Sequence, residues 1–547
     1  MKKSKKFFAL LLTVSMAVGL FSGCGEQTKD TGSNDTSEVK DVQEDSNNSA
    51  SSEEKEVFTL TVHAGAEQGD WNEYWLFKTI EEKFNVDIQV EMMSSEVLNE
   101  KIPLMFASDD LPDFFVNSIG DVSEYGSEGY LLNLADYVSE EKTPNIWKIW
   151  EEYPAAKAAN TELDGNIYAI TGINSAPSGP VINHFYINYD WAEEILGKVP
   201  ETLDEFYEYL VGVKERDMNG NGDATDEIPL GGFYGAGEAT HVFSAILGAF
   251  GFTRMGTEAI DGKVVYVPAE ENYKYFLEFM HKLYVEELLD PEFFTQTEDQ
   301  VNAKETNYLY GCYSYYASWV NQPDETIWRQ YDLLEPLTSE YNSVKKVAAN
   351  DISTLGKFMI TKNCENPEKL MEILDWMLSE EGYWAICNGP EKGTWEEYPD
   401  YGYTYEFVND YTITMEYTFD ESKYANVNEW TQAEITPPYG YLPEVYSYEN
   451  LGAETQNYLI SQTIEHYSPY WYVGWPSTIK YTQEENEELA LINTDINSYK
   501  DEMVTKMITG EVSTDEFETY VEGLKDRKLD RMLEIYQAAY DRWLESQ

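Results

Sequence analysis

Cysteine is scarce in this chain of 547 residues: Cys24, Cys312, Cys364 and Cys387 are all it has, and they lie far apart. No disulfide framework follows from such spacing, and without a C-x-x-C pair a structural zinc site lacks its ligands. Histidine is also rare, with five scattered residues. There is no H-E-x-x-H helix, no G-x-S-x-G elbow and no Walker loop, so the common signatures of metalloprotease, hydrolase and nucleotide chemistry are missing. Basic residues are outnumbered, 37 Lys and Arg against 101 Asp and Glu, for a formal net charge of −64. A surface of that sign repels a phosphate backbone and excludes nucleic acid as a partner. We find no internal repeat.

What the chain does have is length, acid and aromatic rings. At 547 residues it exceeds the size at which one hydrophobic core keeps growing, so two or more lobes are expected. Its 43 Tyr and 14 Trp supply more amphipathic ring surface than a core needs, which suits recognition of hydroxyl-rich ligands, although for any single ring core is the better reading.

The N-terminus points to a compartment. Lys2, Lys3, Lys5 and Lys6 form a positive region, and Phe7 to Leu20 is an apolar stretch of about 14 residues, short against the ~20 needed to span a bilayer. Phe21-Ser22-Gly23-Cys24 resembles a bacterial lipobox, with Phe21 where Leu is commoner; residues 1–23 then read as a signal peptide and Cys24 as the lipidated mature N-terminus. Residues 24–56 are Ser, Asn, Asp, Glu, Thr and Lys with only Val39, Val42 and Ala50 as apolar residues beyond Cys24, too little to offset ordering, and are expected to be a disordered tether.

The body begins at Val57. Val57, Phe58, Leu60 and Val62 predict a strand, Leu76, Phe77, Ile80 and Phe84 a helix, the alternation Val86, Ile88, Val90, Met92 a second strand, Val97 to Ala107 a second helix, and Asp110 to Val116 a third strand. That order is the grammar of an α/β lobe. A strand at His184–Tyr189 follows. Thr202 and Glu205 form a capping box for a helix with Leu203, Phe206, Leu210 and Val213 on its buried stripe. Further on, Phe276 to Leu288 reads as helix, Tyr308 to Trp319 as a strand-like aromatic run, and Asn366-Pro367 as the cap and first turn of a helix over Glu368 to Leu378. Trp376, inside that helix, reads as core. The chain is loop-rich and aromatic from Trp395 through Trp475 and ends in amphipathic helices, the last lined by Leu529, Met532, Leu533, Tyr536, Tyr540 and Trp543.

Directly after the capped helix stands Asp217-Met-Asn-Gly-Asn-Gly-Asp-Ala-Thr-Asp-Glu227. Asp217, Asn219 and Asn221 occupy positions 1, 3 and 5 of an EF-like loop, Gly222 stands at the turn position 6, and the Asp223 carbonyl suits position 7. The bidentate Glu of position 12 is absent, replaced by Ile228, and the acids come early as Asp226 and Glu227. Calcium is the ion such oxygens fit; the alternative is a solvated Asx-rich turn. Contiguous ligands leave no open position for a substrate, so the ion would be structural rather than catalytic.

The lipobox, the tether, the α/β lobe, Tyr186-Ile-Asn-Tyr-Asp-Trp191, the capped helix and the loop running to Asp226-Glu-Ile-Pro229 together resemble extracellular solute-binding lipoproteins of carbohydrate ABC importers. The likeness is strongest to the large alginate-binding-type branch, in which a similar loop binds calcium. Asp164-Gly-Asn-Ile-Tyr168, Gly311 to Trp319, Ser379-Glu-Glu-Gly382, Ile508-Thr-Gly510 and Ile535 to Tyr540 add to it in the same order. The resemblance implies a two-lobed periplasmic-binding-protein-like α/β fold with a hinge and an interlobe ligand cleft, lobe one from 57–180 and 344–401, lobe two from 181–343 and 402–547. It implies capture of a carbohydrate, in the form of an oligosaccharide, and delivery to ABC permease subunits by a monomer held at the outer face of the cell membrane through Cys24. Trp71, Asn117, Ser118, Trp319, Trp395 and Trp475 are the ligand-binding candidates, placed after strands or in loops, and Trp319 aligns with a sugar-stacking ring of maltose-binding relatives. Two other readings stay open: a surface-anchored enzyme acting on glycans, for which 101 acids always offer some carboxylate pair, and a binding protein for a non-sugar solute.

Overall fold

The computed structural model describes residues 55–63, 70–119, 122–173, 179–234, 239–352, 354–389, 391, 403–409, 412–417, 447–448 and 451–546, all within one compact unit spanning Lys55–Gln547. The expected signal peptide, Cys24, almost all of the expected tether and Trp395 lie outside the described residues.

Five strands make the first sheet: β1 (Glu56–His63), β2 (Val86–Met93), β3 (Phe114–Val116), β4 (Ile170–Ile173) and, from much later in the chain, β12 (Thr354–Ile360), in the order β2-β1-β3-β12-β4. β1 runs parallel to β2 and β3, whereas β12 is antiparallel to β3 and β4. The strand period of two divides its side chains between two layers. Phe114 and Phe358 point to a core shared with the helices Trp75–Phe84 and Pro367–Met377; Phe115 and Met359 point to the opposite core, against Leu98, Ile102 and Phe106 of the helix Ser95–Ser108.

The second sheet joins β5 (Phe185–Asn188), β6 (Ile228–Leu230), β9 (Tyr310–Ser314) and β10 (Tyr331–Leu333) in the order β10-β5-β9-β6. Phe185, Ile187, Leu230 and Cys312 face a large core built with Phe206, Leu210 and Val213 of the helix Leu203–Lys214 and with the C-terminal helices Gln483–Thr509, Phe517–Asp526 and Leu529–Ser546. Tyr186, Tyr313 and Tyr331 face a second, tyrosine-rich cluster. Smaller pairings complete the strands: β7 (Thr257–Ile260) with β8 (Lys263–Tyr266), β13 (Tyr403–Asn409) with β14 (Thr412–Tyr417) and β15 (Ser447–Tyr448), and β11 (Val347–Ala348) with β16 (Trp471–Tyr472).

The two sheets are linked where three chain segments run side by side. The amide of Asn350 donates to Pro180 O (2.8 Å), that of Ile182 to Ala348 O (3.4 Å) and that of Ala349 to Tyr472 O (3.0 Å), while β11 and β16 pair in parallel. The Asp351 carboxylate fastens the third segment, accepting from Ser477 N (2.7 Å) and Thr478 Oγ1 (2.7 Å). Among the described residues no helix is long and apolar enough to cross a membrane.

Three local expectations change. The strand expected over Tyr308 to Trp319 stops at Ser314, where its antiparallel partner β5 begins at Phe185. The loop-rich stretch after Trp395 contains the β13–β14 pairing and a 16-residue helix, Leu451–His466. At Thr202 the hydroxyl accepts from Glu205 N as expected, but the Glu205 carboxylate reaches back one residue further, to Glu201 N (2.9 Å), so the box is staggered.

Candidate functional site

The loop 217–227 follows the helix Leu203–Lys214 and is held by one five-residue side-chain bridge and two Asx turns. Asp217 Oδ2 accepts from Gly222 N (2.9 Å), Asn219 Oδ1 from Asn221 N (3.0 Å) and Asn221 Oδ1 from Asp223 N (2.7 Å), turns that place Gly220 and Gly222 at φ +72° and +93°. Glu227 closes the loop from its far end. Its Oε1 accepts from Met218 N (2.6 Å) and Asn219 N (3.2 Å), while Oε2 is buried with no hydrogen-bond partner. Burial outweighs those backbone bonds and holds the Glu227 carboxyl above its usual range. An orphaned oxygen beside a ring of amide and carboxylate oxygens fits a hard cation. The amides of Asn219 and Asn221 turn toward Asp226 (3.5 and 2.7 Å). Among the described residues no group of three or more His, Cys, Asp or Glu is placed to hold a metal, so a cation here would depend on Asn and main-chain oxygens as well.

The other candidates sort by the strand ends they follow. At the end of β3, Asn117 adopts φ +52° and its amide donates to Lys357 O on β12 (3.0 Å). Ser118 is buried and its hydroxyl is occupied by Thr61 O (2.9 Å) and Val116 O (2.7 Å), which makes it a support for that turn. Asn117 is half-buried and the Lys357 side chain exposed. The first sheet thus presents an amide and an ammonium a few residues from the segment Val347–Asp351 that crosses between sheets.

The second sheet carries aromatic rings in the loop beyond β9, one of them beside the segment that leads out of the crossing. β9 ends beside His184, whose carbonyl accepts from Ser314 Oγ (3.0 Å) and Tyr315 N (3.3 Å), two residues beyond Ile182 of the crossing. The chain then turns through Tyr316, which is 57% exposed and edge-on to the His184 ring at 6.4 Å. Half-buried Trp319 packs edge-on against Trp328 at 5.8 Å. A ring with one covered and one open side is what stacking on a ligand requires.

Two of the six nominated ligand residues pack against other rings. Trp71 is 1% exposed, stacked on Tyr74 (5.6 Å) and Phe77 (5.9 Å) in the core of the first sheet, and presents no face to a ligand in this conformation. Trp475 stacks on Tyr540 (6.0 Å) and meets Tyr536 (5.7 Å) on the last helix. Tyr316 was not singled out by sequence, and His184 and Lys357 are too scattered in the sequence to be judged as cleft residues from it; the signal for Tyr316 and His184 is their place beside the paired ends of β9 and β5.

A family model described as bacterial extracellular solute-binding protein matches residues 64–384. The fructooligosaccharide ABC transporter substrate-binding protein FusA of Streptococcus pneumoniae serotype 4 is 25% identical over 555 aligned residues, 98% of this chain and 97% of its own. Solved structures of FusA, one with kestose and one of an EF-hand mutant with fructo-nystose, each superpose at TM-score 0.71 with 24% and 23% identity over 90% of this chain and 100% of theirs. A human-milk-oligosaccharide (HMO) binding, ABC-transporter-associated solute-binding protein of Bifidobacterium longum infantis gives TM-score 0.73 at 18% identity, over 89% of this chain and 99% of that one. The alginate-binding protein AlgQ2, solved without calcium ion, gives 0.63 at 20%, over 90% and 99%.

Proposed function

The chain belongs to the bacterial extracellular solute-binding proteins, and on that premise we propose that it is a lipid-anchored receptor that captures an oligosaccharide and hands it to an ABC importer. The observation that carries this reading is the end-to-end match to FusA, a substrate-binding protein named for fructooligosaccharides. In the same reading the lobes divide at 180, 344 and 401, and the cleft lies where both sheets end beside the crossing segments. Closure about those segments gives the importer a shape to read. The chain works as a monomer on the outer face of the membrane, tethered through Cys24, with no step of catalysis.

Asn117 and Trp319 are the retained ligand residues, joined by Tyr316 and Lys357; Trp395 remains a further candidate. Ser118 serves by fixing the Asn117 turn. A sugar is apolar on its ring faces and polar at its rim, so Trp319 and Tyr316 remove the faces from water while Asn117 and Lys357 bond hydroxyls. Calcium is the proposed cofactor. Asp217, Asn219, Asn221, Asp226 and Glu227 would hold it with the Asp223 carbonyl, and its role is to staple the end of the helix Leu203–Lys214.

The test is a thermal-shift screen of the mature chain against fructooligosaccharides, milk-type oligosaccharides, alginate oligomers and short peptides, with calcium present. A cognate glycan at about a hundred times its Kd stabilises by roughly 2.7 kcal/mol. A shift with peptide alone, or turnover of any glycan, contradicts the proposal.

A further inference from the structure

The loop from Tyr315 to Gln322 carries Tyr316 and Trp319, and its far end is clamped to one helix terminus. Thr306 Oγ1 donates to Asn321 O (2.7 Å), and Gln322 Nε2 donates to the carbonyls of Glu305 (3.2 Å) and Thr306 (3.1 Å). Asn321 Nδ2 donates both to Asn302 Oδ1 (2.9 Å) and to the carboxyl Oε2 of Glu305 (2.9 Å). The near end is held by the Tyr186 hydroxyl, which donates to Tyr316 O (3.4 Å), and by the Tyr315 hydroxyl donating to Glu298 Oε1 (3.4 Å).

Glu305 is the ionisable group in the far clamp. It sits near the end of the helix Glu298–Thr306, 4% exposed, and its Oε1 is buried. The groups around it are phenols: Tyr186 on β5, Tyr310 and Tyr313 on β9, Tyr315 in the loop and Tyr331 on β10. Among the described residues no Lys or Arg side chain pairs with it. As a carboxylate, Glu305 holds a buried charge in that cluster with only the Asn321 amide and the Tyr313 hydroxyl, both neutral, to offset its lost hydration, a costly arrangement. As a carboxylic acid it brings no charge into that cluster, and Asn321 Nδ2 can still donate to Oε2. Burial, only partly offset by Asn321 and Tyr313, pushes the carboxyl up to about 7.

We infer that Glu305 is a positioning residue for the aromatic loop of the cleft, holding Tyr316 and Trp319 for the oligosaccharide best when its carboxyl is protonated. The affinity part of this inference rests on the reading that those rings face the ligand. The five phenols stay neutral throughout the neutral range, since every one is raised above its ordinary value. His184, edge-on to Tyr316, and Glu298, on the Tyr315 hydroxyl, are the other titratable groups that touch the loop.

The experiment uses the full chain as wild type, Glu305→Gln and Glu305→Ala between pH 6 and 8. Amide hydrogen exchange over 315–322, corrected for intrinsic rates, is measured without ligand, and Kd is measured with the glycan of largest shift in the screen above. As the protonated fraction falls about tenfold over this range, wild-type loop protection and affinity fall by up to the same factor. Glu305→Gln keeps the acid-side values at every pH, and Glu305→Ala has low protection throughout. The inference is overturned if Glu305→Gln follows the wild-type profile, which would assign the titration to another group, or if Glu305→Ala leaves the loop protected. Exchange that behaves as expected while no glycan binds upholds the clamp and overturns the cleft reading instead.

Discussion

Trp319 is half-buried in the loop that follows β9, whereas Trp71 is buried against Tyr74 and Phe77, and the two predict opposite phenotypes. Trp319→Ala is expected to cost about 2 kcal/mol of ligand binding, roughly thirtyfold in Kd, with little change in melting temperature. Trp71→Ala removes a buried indole, costs about 3–5 kcal/mol of stability, and leaves Kd unchanged under conditions where the protein stays folded. Calorimetry and urea unfolding on both variants separate these outcomes. The spacing of Trp71, Tyr74 and Phe77 at three-residue steps was a legible sign of one buried face, which the abundance of Trp obscured. His466 gives a residue-scale prediction in pH. Burial disfavours its charged form, but the hydrogen bond and charge of Asp332 (3.4 Å), with the charges of Glu465 and Glu335, outweigh it and raise its pKa. Its contribution to stability is fully present below the unfolded value near 6.5 and is lost as pH rises through the raised folded value. Unfolding free energy measured across that window should fall in the wild type and flatten in His466→Gln; equal slopes would remove His466 as the cause.

At the scale of elements, the strands and helices with clean periods were readable: β1, β2, the helix Leu203–Lys214 and the Asn366-capped helix Pro367–Met377 follow from alternation and caps. The end of β9 was not, because Tyr315, Tyr316 and Trp319 continue the aromatic composition of the strand after its pairing with β5 has stopped. Composition records which residues are present, while strand length is set by the partner. For a similar reason the helix Leu451–His466, whose apolar residues form no strong stripe, was hidden in a tyrosine-rich stretch. The loop 217–227 is an element whose residues were legible but whose closure was not: Glu227, one position before the expected place, bonds back to Met218 and Asn219. Calcium should raise the melting temperature of the wild type and a chelator reverse it. Asp217→Ala should show neither response, and an equal chelator effect in both proteins would remove the loop as the binding site.

For the whole molecule, length foretold more than one core, and the structure has two α/β sheets with separate cores joined by three adjacent segments. That the first sheet takes β12 from beyond the second could be expected only through the family likeness, since no local pattern records which sheet a late strand rejoins. A net charge of −64 does not select a fold, but it keeps the chain soluble and turns polyanions away, which leaves a neutral, hydroxyl-rich solute as the ligand best suited to its rings. Closure around such a ligand should reduce the radius of gyration in solution scattering, and less so for Trp319→Ala at the same glycan concentration. The most direct test of the central claim is isothermal titration calorimetry of the mature chain with a fructooligosaccharide and with the strongest glycan from the screen. The account predicts saturable binding of one glycan per chain, weakened about thirtyfold by Trp319→Ala. An absence of heat with every glycan alongside saturable binding of a peptide, or a steady heat of turnover, would contradict it.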